Sequence, residues 1–317
     1  MTPPLTLADI RAAHDRIRGK IHRTPVLTSA WLDTDCGGRL FFKCENFQKI
    51  GAFKARGAAN AVFSLTDTEA ARGVATHSSG NHGQALAWAA RERGIPAHIV
   101  MPSNAPKLKV RGVEGFGGRV IFCEPTQAAR EAACASVMAE TNATLVHPYL
   151  DYRVMAGQGT ATLELIEQAP DLDLVLCPVG GGGLLCGTAI AAQGARPAMK
   201  VIGCEPVAAD DAAQSFRAGK IIPTTPHTIA DGLRTTVGEP NFAIIREHVH
   251  DVVTVSEESI VAAMRRIWEV LKIVVEPSGA VPFAAVLEGK IDLRGRRAGL
   301  ILTGGNVDLD VLPWQKK

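Results

Sequence analysis

The sequence predicts an α/β fold in which mostly parallel strands alternate with helices. Short runs of apolar and β-branched residues alternate along the chain with amphipathic stretches of helical length. The runs are apolar at nearly every position, which is typical of strands covered by helices on both faces of a sheet. Glycines concentrate where these runs end. In open α/β sheets, ligands bind beyond the carboxyl ends of the strands, so a site is expected there.

The predicted elements follow one another in regular order. Strands are predicted at Leu40–Cys44, Gly73–His77, His98–Met101, Val120–Cys123, Leu174–Val179, Val201–Cys204, Val252–Val255 and Leu300–Thr303. Helices are predicted at Gln84–Arg93, Ala128–Glu140, Gly159–Glu167 and Glu258–Leu271. In the last helix, Ile260, Met264 and Ile267 recur at the helical period, which indicates a face packed on the core.

The chain is long enough for two domains, with 317 residues. Gly73–Val146 is a compact run of alternating strands and helices that can form a sheet of its own. Residues 148–151, with a proline and a tyrosine, are a plausible crossing into a second sheet. We therefore expect a small domain at 73–148 and a large domain built from 1–72 and 149–317.

Composition excludes several classes of protein. The net charge is +2, from 34 basic and 32 acidic side chains, and a nucleic-acid partner would require a concentrated basic face. No apolar stretch reaches the roughly 18 residues of a membrane span. The N-terminus lacks the basic and apolar segments of a signal peptide. The seven cysteines form no CxxC pair and no zinc spacing, so we expect reduced thiols, a cytoplasmic location and no nucleic-acid or membrane partner.

The strongest local motif is an apolar strand followed by four consecutive glycines, Gly180 to Gly183, and then a helix. Four glycines cost conformational entropy, so a plain turn rarely uses them. They are explained better if backbone amides at a helix N-terminus approach an anion closely. The motif lacks the lysine of a nucleotide P-loop and the third glycine of GxGxxG, which favours a compact phosphate monoester. A flexible turn is one alternative, and Glu205, about 20 residues on, keeps a dinucleotide site open.

Lys54 lies where a strand leads into a helix, in the stretch Asn46-Phe-Gln-Lys-Ile-Gly-Ala-Phe-Lys-Ala-Arg-Gly-Ala58. Phe53 and small residues flank it, and desolvation there would lower the pKa of the amine. A lysine nucleophile needs such a lowered pKa near neutral pH. Taken alone, this stretch still favours a solvent-exposed lysine at a helix start.

Four motifs read together change that interpretation. They are the Lys54 stretch, Ser78-Ser-Gly-Asn-His-Gly-Gln84, the glycine run and Thr303-Gly-Gly-Asn-Val-Asp308. In this order they closely resemble fold-type II pyridoxal-phosphate enzymes, and within that group the serine/threonine dehydratase and serine racemase family. The resemblance extends from His22 to Asn306. It implies a two-domain fold like that of the tryptophan synthase β subunit, with a small mobile domain.

The resemblance implies a role at the cofactor, pyridoxal 5′-phosphate, for each matching residue. Lys54 would carry the cofactor as a Schiff base and, once freed, move the Cα proton of the substrate. Phe53 would pack beside the cofactor. The other implied contacts are Asn81 at the ring 3′-oxygen, Gly180, Gly181, Gly182, Gly183 and the Leu184 amide at the 5′-phosphate, and Thr303 at the ring nitrogen.

The resemblance also implies a substrate site. The α-carboxylate of the substrate would bind the loop of Ser78, Ser79, Gly80, Asn81 and His82. The two serines would serve equally well as N-caps of the following helix. Ser79 has a second implied role, because its hydroxyl can protonate Cα from the face opposite Lys54. Arg130 matches an arginine that can pair with a substrate carboxylate, although a solvent-facing helix arginine is equally compatible with its surroundings.

A divalent cation is implied at a third place. Glu205, the carbonyl of Ala209 and Asp211 match residues that bind Mg²⁺ or Ca²⁺ in related racemases and dehydratases. Two carboxylates and a carbonyl, completed by waters, suit a hard cation. The alternative is a surface cluster of acids at a helix start, where acids also complement the helix dipole.

Three hypotheses about function follow. The first is a lyase that eliminates water from serine, threonine or 3-hydroxyaspartate, giving a 2-oxo acid and ammonia; a hydroxyl at Thr303 favours elimination over transamination. The second is a serine or aspartate racemase that uses Lys54 and Ser79. The third is a non-catalytic or dinucleotide-binding α/β protein. Tyr149 and Ala52 depart from mammalian racemases, which leaves the substrate open. The resemblance further implies a homodimer.

Overall fold

The computed structural model describes residues 5–78, 80–105 and 107–315. Strands and helices alternate along the chain, as the sequence predicts. The strands are β1 Val26–Leu27, β2 Arg39–Cys44, β3 Val74–Thr76, β4 Ala97–Pro102, β5 Arg119–Cys123, β6 Thr144–Leu145, β7 Leu174–Pro178, β8 Lys200–Pro206, β9 Asp251–Val255 and β10 Arg297–Leu302. The helices are α1 Leu7–Ile17, α2 Ala30–Cys36, α3 Lys54–Phe63, α4 Asp67–Arg72, α5 Asn81–Arg93, α6 Lys107–Gly115, α7 Gln127–Thr141, α8 Tyr152–Gln168, α9 Gly183–Ala195, α10 Asp211–Ala218, α11 Glu239–His248, α12 Glu257–Leu271 and α13 Pro277–Leu287.

The strands form two separate sheets. The first has six strands in the order β1-β2-β10-β7-β8-β9, all parallel except β1, which runs antiparallel to β2. The second has four parallel strands in the order β5-β4-β3-β6. The predicted α/β class with mostly parallel open sheets is therefore confirmed.

The strands of the two sheets come from different parts of the chain. The four strands of the second sheet lie between Val74 and Leu145, and those of the first lie before and after that range. Apolar clusters pack on both faces of the first sheet, including Val175 and Cys177 on one face and Leu174 and Leu176 on the other. The domain boundaries at 73 and 148, and the mobility of the smaller unit, stay predictions.

Every predicted strand is present, with ends that differ by at most three residues. The two-residue strands β1 and β6 were not predicted, because two residues carry no periodicity. Helix α8 begins well before the predicted Gly159. Its N-cap is Asp151, whose side chain accepts a hydrogen bond from the backbone N–H of Arg153 at 2.8 Å. Among the described residues, no helix combines the length and the apolar character that crossing a membrane requires.

Helices α3 and α8 approach closely because glycines lie at their contact. A Cβ on Gly157 would lie 2.5 Å from the carbonyl oxygen of Arg56, so a side chain at Gly157 would push the helices apart. A Cβ on Gly57, on the other helix, would likewise collide with the Gln158 amide. This contact fixes the first turn of α3, which begins at Lys54.

Candidate active site

Lys54 is the first residue of α3, and its side chain is half-buried. Its Nζ donates a hydrogen bond to the carbonyl oxygen of Pro148 at 2.8 Å and lies 5.1 Å from the centroid of the Phe53 ring. Burial lowers the pKa of Lys54 to about 8. A substantial fraction of the amine is therefore neutral near physiological pH, as a nucleophilic lysine requires. The interpretation of Lys54 as a lysine in solvent is wrong.

A buried network of charges anchors the first turn of α3. Arg56, with no solvent exposure, donates to both oxygens of Glu45 at 2.7 Å and to both oxygens of Glu164 at 2.8 and 2.9 Å. Lys43 donates to the same Glu164 at 2.6 Å. Burial opposes ionisation of Glu164, but hydrogen bonding to Arg56 outweighs it, and the pKa of Glu164 is below its usual value. Two cations and two anions balance within this network, called here the α3 anchor.

The glycine loop lies between β7 and α9. Gly182 is the N-cap of α9 and has a φ of 87°, a left-handed conformation that favours glycine. A Cβ on Gly181 would collide with the ring of Tyr149. Asn241 donates to the carbonyls of Gly181 and Tyr149, at 2.5 and 2.9 Å, and so holds the ring against the loop. Side chains are excluded from this loop, which leads directly into the N-terminus of α9 (including Gly183 and Leu184).

The segment His147-Pro148-Tyr149 joins the lysine to the glycine loop. Pro148 accepts the hydrogen bond of Lys54, and Tyr149 covers Gly181. The sequence marked this segment as a crossing between sheets, but the contacts of Pro148 and Tyr149 depend on tertiary packing. Only Tyr149 was singled out from the sequence, as a departure from mammalian racemases.

Asn81, the first residue of α5, connects two other parts of the chain. It donates to a carboxylate oxygen of Glu276 at 2.9 Å, and its Oδ1 accepts from the amide of Asn306 at 2.9 Å. Glu276 is 4% exposed, and burial raises its pKa to about 8. Sequence reasoning missed Glu276, although it immediately precedes α13 and its N-terminal Pro277.

Thr303 is buried directly after β10. Its carbonyl oxygen accepts the backbone N–H of Phe53 at 2.9 Å, and Ala52 bridges Gly304 in antiparallel fashion. The lysine stretch and the Thr303 motif are therefore neighbours, although about 250 residues separate them in the chain. Glu276 joins the same group through its backbone N–H, which donates to the Gly304 carbonyl at 2.9 Å.

The predicted substrate loop leads into α5. Gly80 is the N-cap, and Ser78 is half-buried two residues before it. His82 is buried, its Nε2 lies 2.9 Å from the carbonyl of Val146, and burial lowers its pKa to about 3. His82 is therefore a neutral residue at the start of the helix. Ser79 lies outside the described residues.

Arg130 lies in the first turn of α7 with a half-buried side chain. Its guanidinium donates to the side chain of Gln127 at 2.6 Å. Burial lowers the pKa of His77, and the charge of Arg130 acts in the same direction, so these two side chains are near each other. His77 directly precedes the substrate loop.

The predicted cation ligands come together at the end of β8. Glu205, Ala209 and Asp211 are all buried. The Oε1 atom of Glu205 accepts the backbone N–H of Ala213 at 2.7 Å, and Oε2 has no partner within the described residues. Burial raises the pKa of Glu205 to about 9 and that of Asp211 to about 6. The two carboxylates are not a solvated surface cluster. No group of three or more His, Cys, Asp or Glu side chains with metal-binding geometry is found among the described residues, so a cation here would also need the carbonyl and waters.

Replacing Glu276 with glutamine is expected to make the apoprotein less sensitive to alkaline pH. The pKa of about 8 lies above the usual value for a glutamate, so the folded state favours the protonated carboxyl. That contribution to stability is fully present below the unfolded-state pKa and is lost as pH rises through about 8. Between about pH 6 and pH 9 the wild type should lose on the order of 2 kcal/mol more than Glu276→Gln, since one pKa unit is worth about 1.4 kcal/mol.

Urea denaturation across this range measures the difference. Glu258→Gln, at an exposed glutamate of α12, is the control and should follow the wild type. Parallel curves for the wild type and Glu276→Gln would contradict a raised pKa at Glu276.

Comparison with known proteins identifies the family. The family model described as "Pyridoxal-phosphate dependent enzyme" matches residues 17–304. The chain is 51% identical over 310 residues to a β-hydroxyaspartate dehydratase of Paracoccus denitrificans, covering 98% of each chain. It is 51% identical over 313 residues to a serine racemase of Arabidopsis thaliana, covering 96% of this chain and 94% of the relative. A crystal structure of a bacterial-type threonine deaminase superposes with a TM-score of 0.91 at 44% identity, covering 96% of this chain and 99% of the other. The family predicted from the four motifs is confirmed: the chain belongs to the pyridoxal-phosphate-dependent enzymes of fold type II.

Proposed function

We propose that this enzyme eliminates water from a small β-hydroxy amino acid, giving a 2-oxo acid and ammonia. The observation that carries the proposal is the position of Lys54. Its amine has a lowered pKa and is joined, through Pro148 and Tyr149, to a glycine loop from which side chains are excluded. The similarity to a β-hydroxyaspartate dehydratase supports dehydration as the reaction.

The residues present fit pyridoxal phosphate. The glycine loop is a cradle that a Cβ at Gly181 would fill, and the N-terminus of α9 follows it directly. We propose that the amides of Gly180 to Gly183 and of Leu184 hold the phosphate and that Lys54 forms the covalent link. Phe53, Asn81 and Thr303 would then contact the ring. When bound, the cofactor withdraws electrons from the Cα of the substrate amine.

The chain itself supplies proton transfer and orientation. Lys54 removes the Cα proton, a step for which an amine of pKa near 8 is suited. The substrate α-carboxylate lies at Ser78, Gly80, Asn81 and His82, where the positive end of the 13-residue α5 attracts an anion. Arg130 is proposed to approach a substrate carboxylate. The enamine released after loss of hydroxide hydrolyses to the oxo acid and ammonia.

Racemisation is the second candidate, favoured by the similarity to the Arabidopsis serine racemase. Racemisation requires an acid on the face of Cα opposite Lys54, and Ser79 is proposed for that role. Elimination is preferred because the residue proposed at the ring nitrogen is the hydroxyl of Thr303, which does not stabilise a protonated ring.

One assay tests both candidates. The holoenzyme is incubated separately with L-serine, D-serine, L-threonine and the 3-hydroxyaspartate diastereomers, and oxo acid and enantiomeric composition are measured together. We expect oxo acid as the main product from at least one substrate. If no substrate yields oxo acid and enantiomers interconvert, racemisation replaces elimination as the function.

We also propose that Glu205, the carbonyl of Ala209 and Asp211 bind Mg²⁺ or Ca²⁺. The unpartnered Glu205 Oε2 atom and the burial of both carboxylates support a cation here. Hard cations prefer such oxygen ligands. The cation would hold the end of β8 to the start of α10.

Chelation is expected to lower the melting temperature of protein prepared with Mg²⁺ or Ca²⁺. At a concentration about 100-fold above Kd, a ligand bound only to the folded state stabilises it by about 2.7 kcal/mol. Glu205→Gln should abolish the response to EDTA. Asp210→Asn is the matched control, since Asp210 lies in the same acidic cluster but accepts from Gln214 at 2.7 Å. An unchanged melting temperature in the wild type, or an equal effect of Asp210→Asn, would contradict the site.

The remaining expectations are also proposals. The seven cysteines are all free thiols, which supports a reducing compartment such as the cytoplasm. A homodimer is proposed from the family, and light scattering of the purified protein measures it. Lys109 of α6 pairs with Asp231, which lies outside residues 73–148, and we propose that this contact changes as a mobile small domain opens.

A further inference from the structure

Three aromatic side chains form a row of edge-to-face contacts beside Lys54. The rings of His77 and His147 have centroids 5.3 Å apart with an interplanar angle of 74°. Those of His147 and Tyr149 are 4.6 Å apart at 88°. His77 directly precedes the substrate loop, and Pro148, between the other two, accepts the hydrogen bond of Lys54. This row, called here the aromatic row, lies between the reacting amine and the proposed α-carboxylate site.

The hydrogen bonds of His147 fix its tautomer. Its Nδ1 atom accepts the backbone N–H groups of Tyr149 at 3.3 Å and Leu150 at 3.0 Å. An imidazole nitrogen that accepts hydrogen bonds carries no proton, so the ring proton is on Nε2. His147 is thereby held as a hydrogen-bond donor, and the phenol of the half-buried Tyr149 is a second donor.

The charges around the row favour an anion. Burial lowers the pKa of His147 to about 4, and the nearby His77 and Lys54 contribute to this shift. The positive charge of Arg130 also reaches Tyr149, while Glu131 is the nearest acid to contribute at both rings. A carboxylate in this place would accept from neutral donors and meet the charges of Lys54 and Arg130. The hydroxymethyl group of serine offers no charge to the same groups.

We propose that His147 and Tyr149 form the subsite for a second substrate carboxylate, so that the enzyme prefers a dicarboxylic β-hydroxy amino acid, 3-hydroxyaspartate, over serine and threonine. The inference rests on the proposed function and goes beyond it by naming the groups that select the substrate. A site built to hydrogen-bond a substrate group discriminates strongly against an analogue that lacks it, because the buried donors lose their partner.

Two substitutions with matched controls test the subsite. His147→Asn places an amide oxygen where Nδ1 accepts the two backbone N–H groups and removes the Nε2 donor. Tyr149→Phe keeps the ring against Gly181 and removes the hydroxyl. His250→Asn is the control for the first, since Nδ1 of His250 also accepts a backbone N–H, that of Val201 at 3.1 Å, at the opposite end of the sheet. Tyr152→Phe alters the only other tyrosine of the chain.

The measurement is kcat/KM of each holoenzyme for 3-hydroxyaspartate and for L-serine, with inhibition by succinate as a readout of binding alone. The wild type should prefer 3-hydroxyaspartate. His147→Asn should lower kcat/KM for that substrate on the order of 10- to 100-fold, mainly through KM, as expected for a lost hydrogen bond to a charged group. Inhibition by succinate should weaken by a similar factor. Tyr149→Phe should act in the same direction, and the two controls should match the wild type.

The possible failures are distinguishable. If the wild type forms oxo acid from neither substrate, the proposed function is wrong. If it forms oxo acid from both but prefers L-serine, the function stands and the subsite is overturned. Equal losses for both substrates in His147→Asn, with unchanged inhibition by succinate, would mean that the aromatic row only supports the glycine loop, which also overturns the subsite.

Discussion

Lys54→Ala should eliminate the absorbance band of the bound cofactor and lower kcat/KM by more than about 10³-fold. The side chain is proposed both to link the cofactor covalently and to move the Cα proton, and loss of a general base alone costs about 10²- to 10⁴-fold. The replacement removes an amine whose only hydrogen-bond acceptor among the described residues is Pro148. The fold should therefore survive, because the amine makes no ion pair within that part of the chain.

The control is Lys49→Ala, five residues earlier in the same stretch. Lys49 lies in a short 3₁₀ turn and is not part of the proposed site. Its replacement should leave the absorbance band and the turnover near wild-type values. Absorbance spectra, single-turnover rates and circular dichroism are compared for the two variants. A retained band together with turnover in Lys54→Ala would reject Lys54 as the cofactor lysine.

Glu164→Leu should destabilise the protein by about 3–5 kcal/mol, the usual cost of leaving a buried ionic partner unpaired. Glu164 is 2% exposed and neutralises Arg56 and Lys43, which have no solvent exposure. Without it the α3 anchor keeps two cations and a single anion, Glu45. The cost is concentrated next to Lys54, so we also expect weaker retention of the cofactor.

Glu167→Leu is a matched control on the same helix. Glu167 pairs with Arg23 at 2.8 Å, but both side chains are more than half exposed, at 55% and 56%. Exposed pairs contribute about 0–1 kcal/mol, so this replacement should leave the free energy of unfolding nearly unchanged. Urea denaturation of both apoproteins and equilibrium dialysis of the cofactor provide the two readouts. Similar losses in the two variants would show that burial of the network is not what makes Glu164 important.

The sequence predicts those parts of the fold that depend on local pattern. Strands such as Leu174–Pro178 are apolar throughout, and the glycine run that follows can serve few purposes other than close approach to an anion. Helix ends were less accurate where the determining signal was a single capping residue, as at Asp151. The strands of two residues had no periodic signal at all.

The candidate site was predictable only where motifs carry it. Lys54, Asn81 and Thr303 were found through the family resemblance, and nothing in their immediate neighbours required it. Glu164 and Glu276 were missed because their partners lie more than 100 residues away in the chain, at Arg56 and Asn81. Such pairings arise from tertiary packing, which no local period records.

The short segment from Pro148 to Tyr149 acts as a ruler between two ends of the cofactor site. One of these residues contacts the lysine amine and the next covers the glycine loop, so the separation of the covalent link and the phosphate cradle is set by a single virtual bond of about 3.8 Å between consecutive Cα atoms. The spacing is therefore built into the covalent chain rather than into adjustable side chains. An inserted residue at this point would change the length of the ruler itself, whereas substitutions of similar volume change only what is displayed along it.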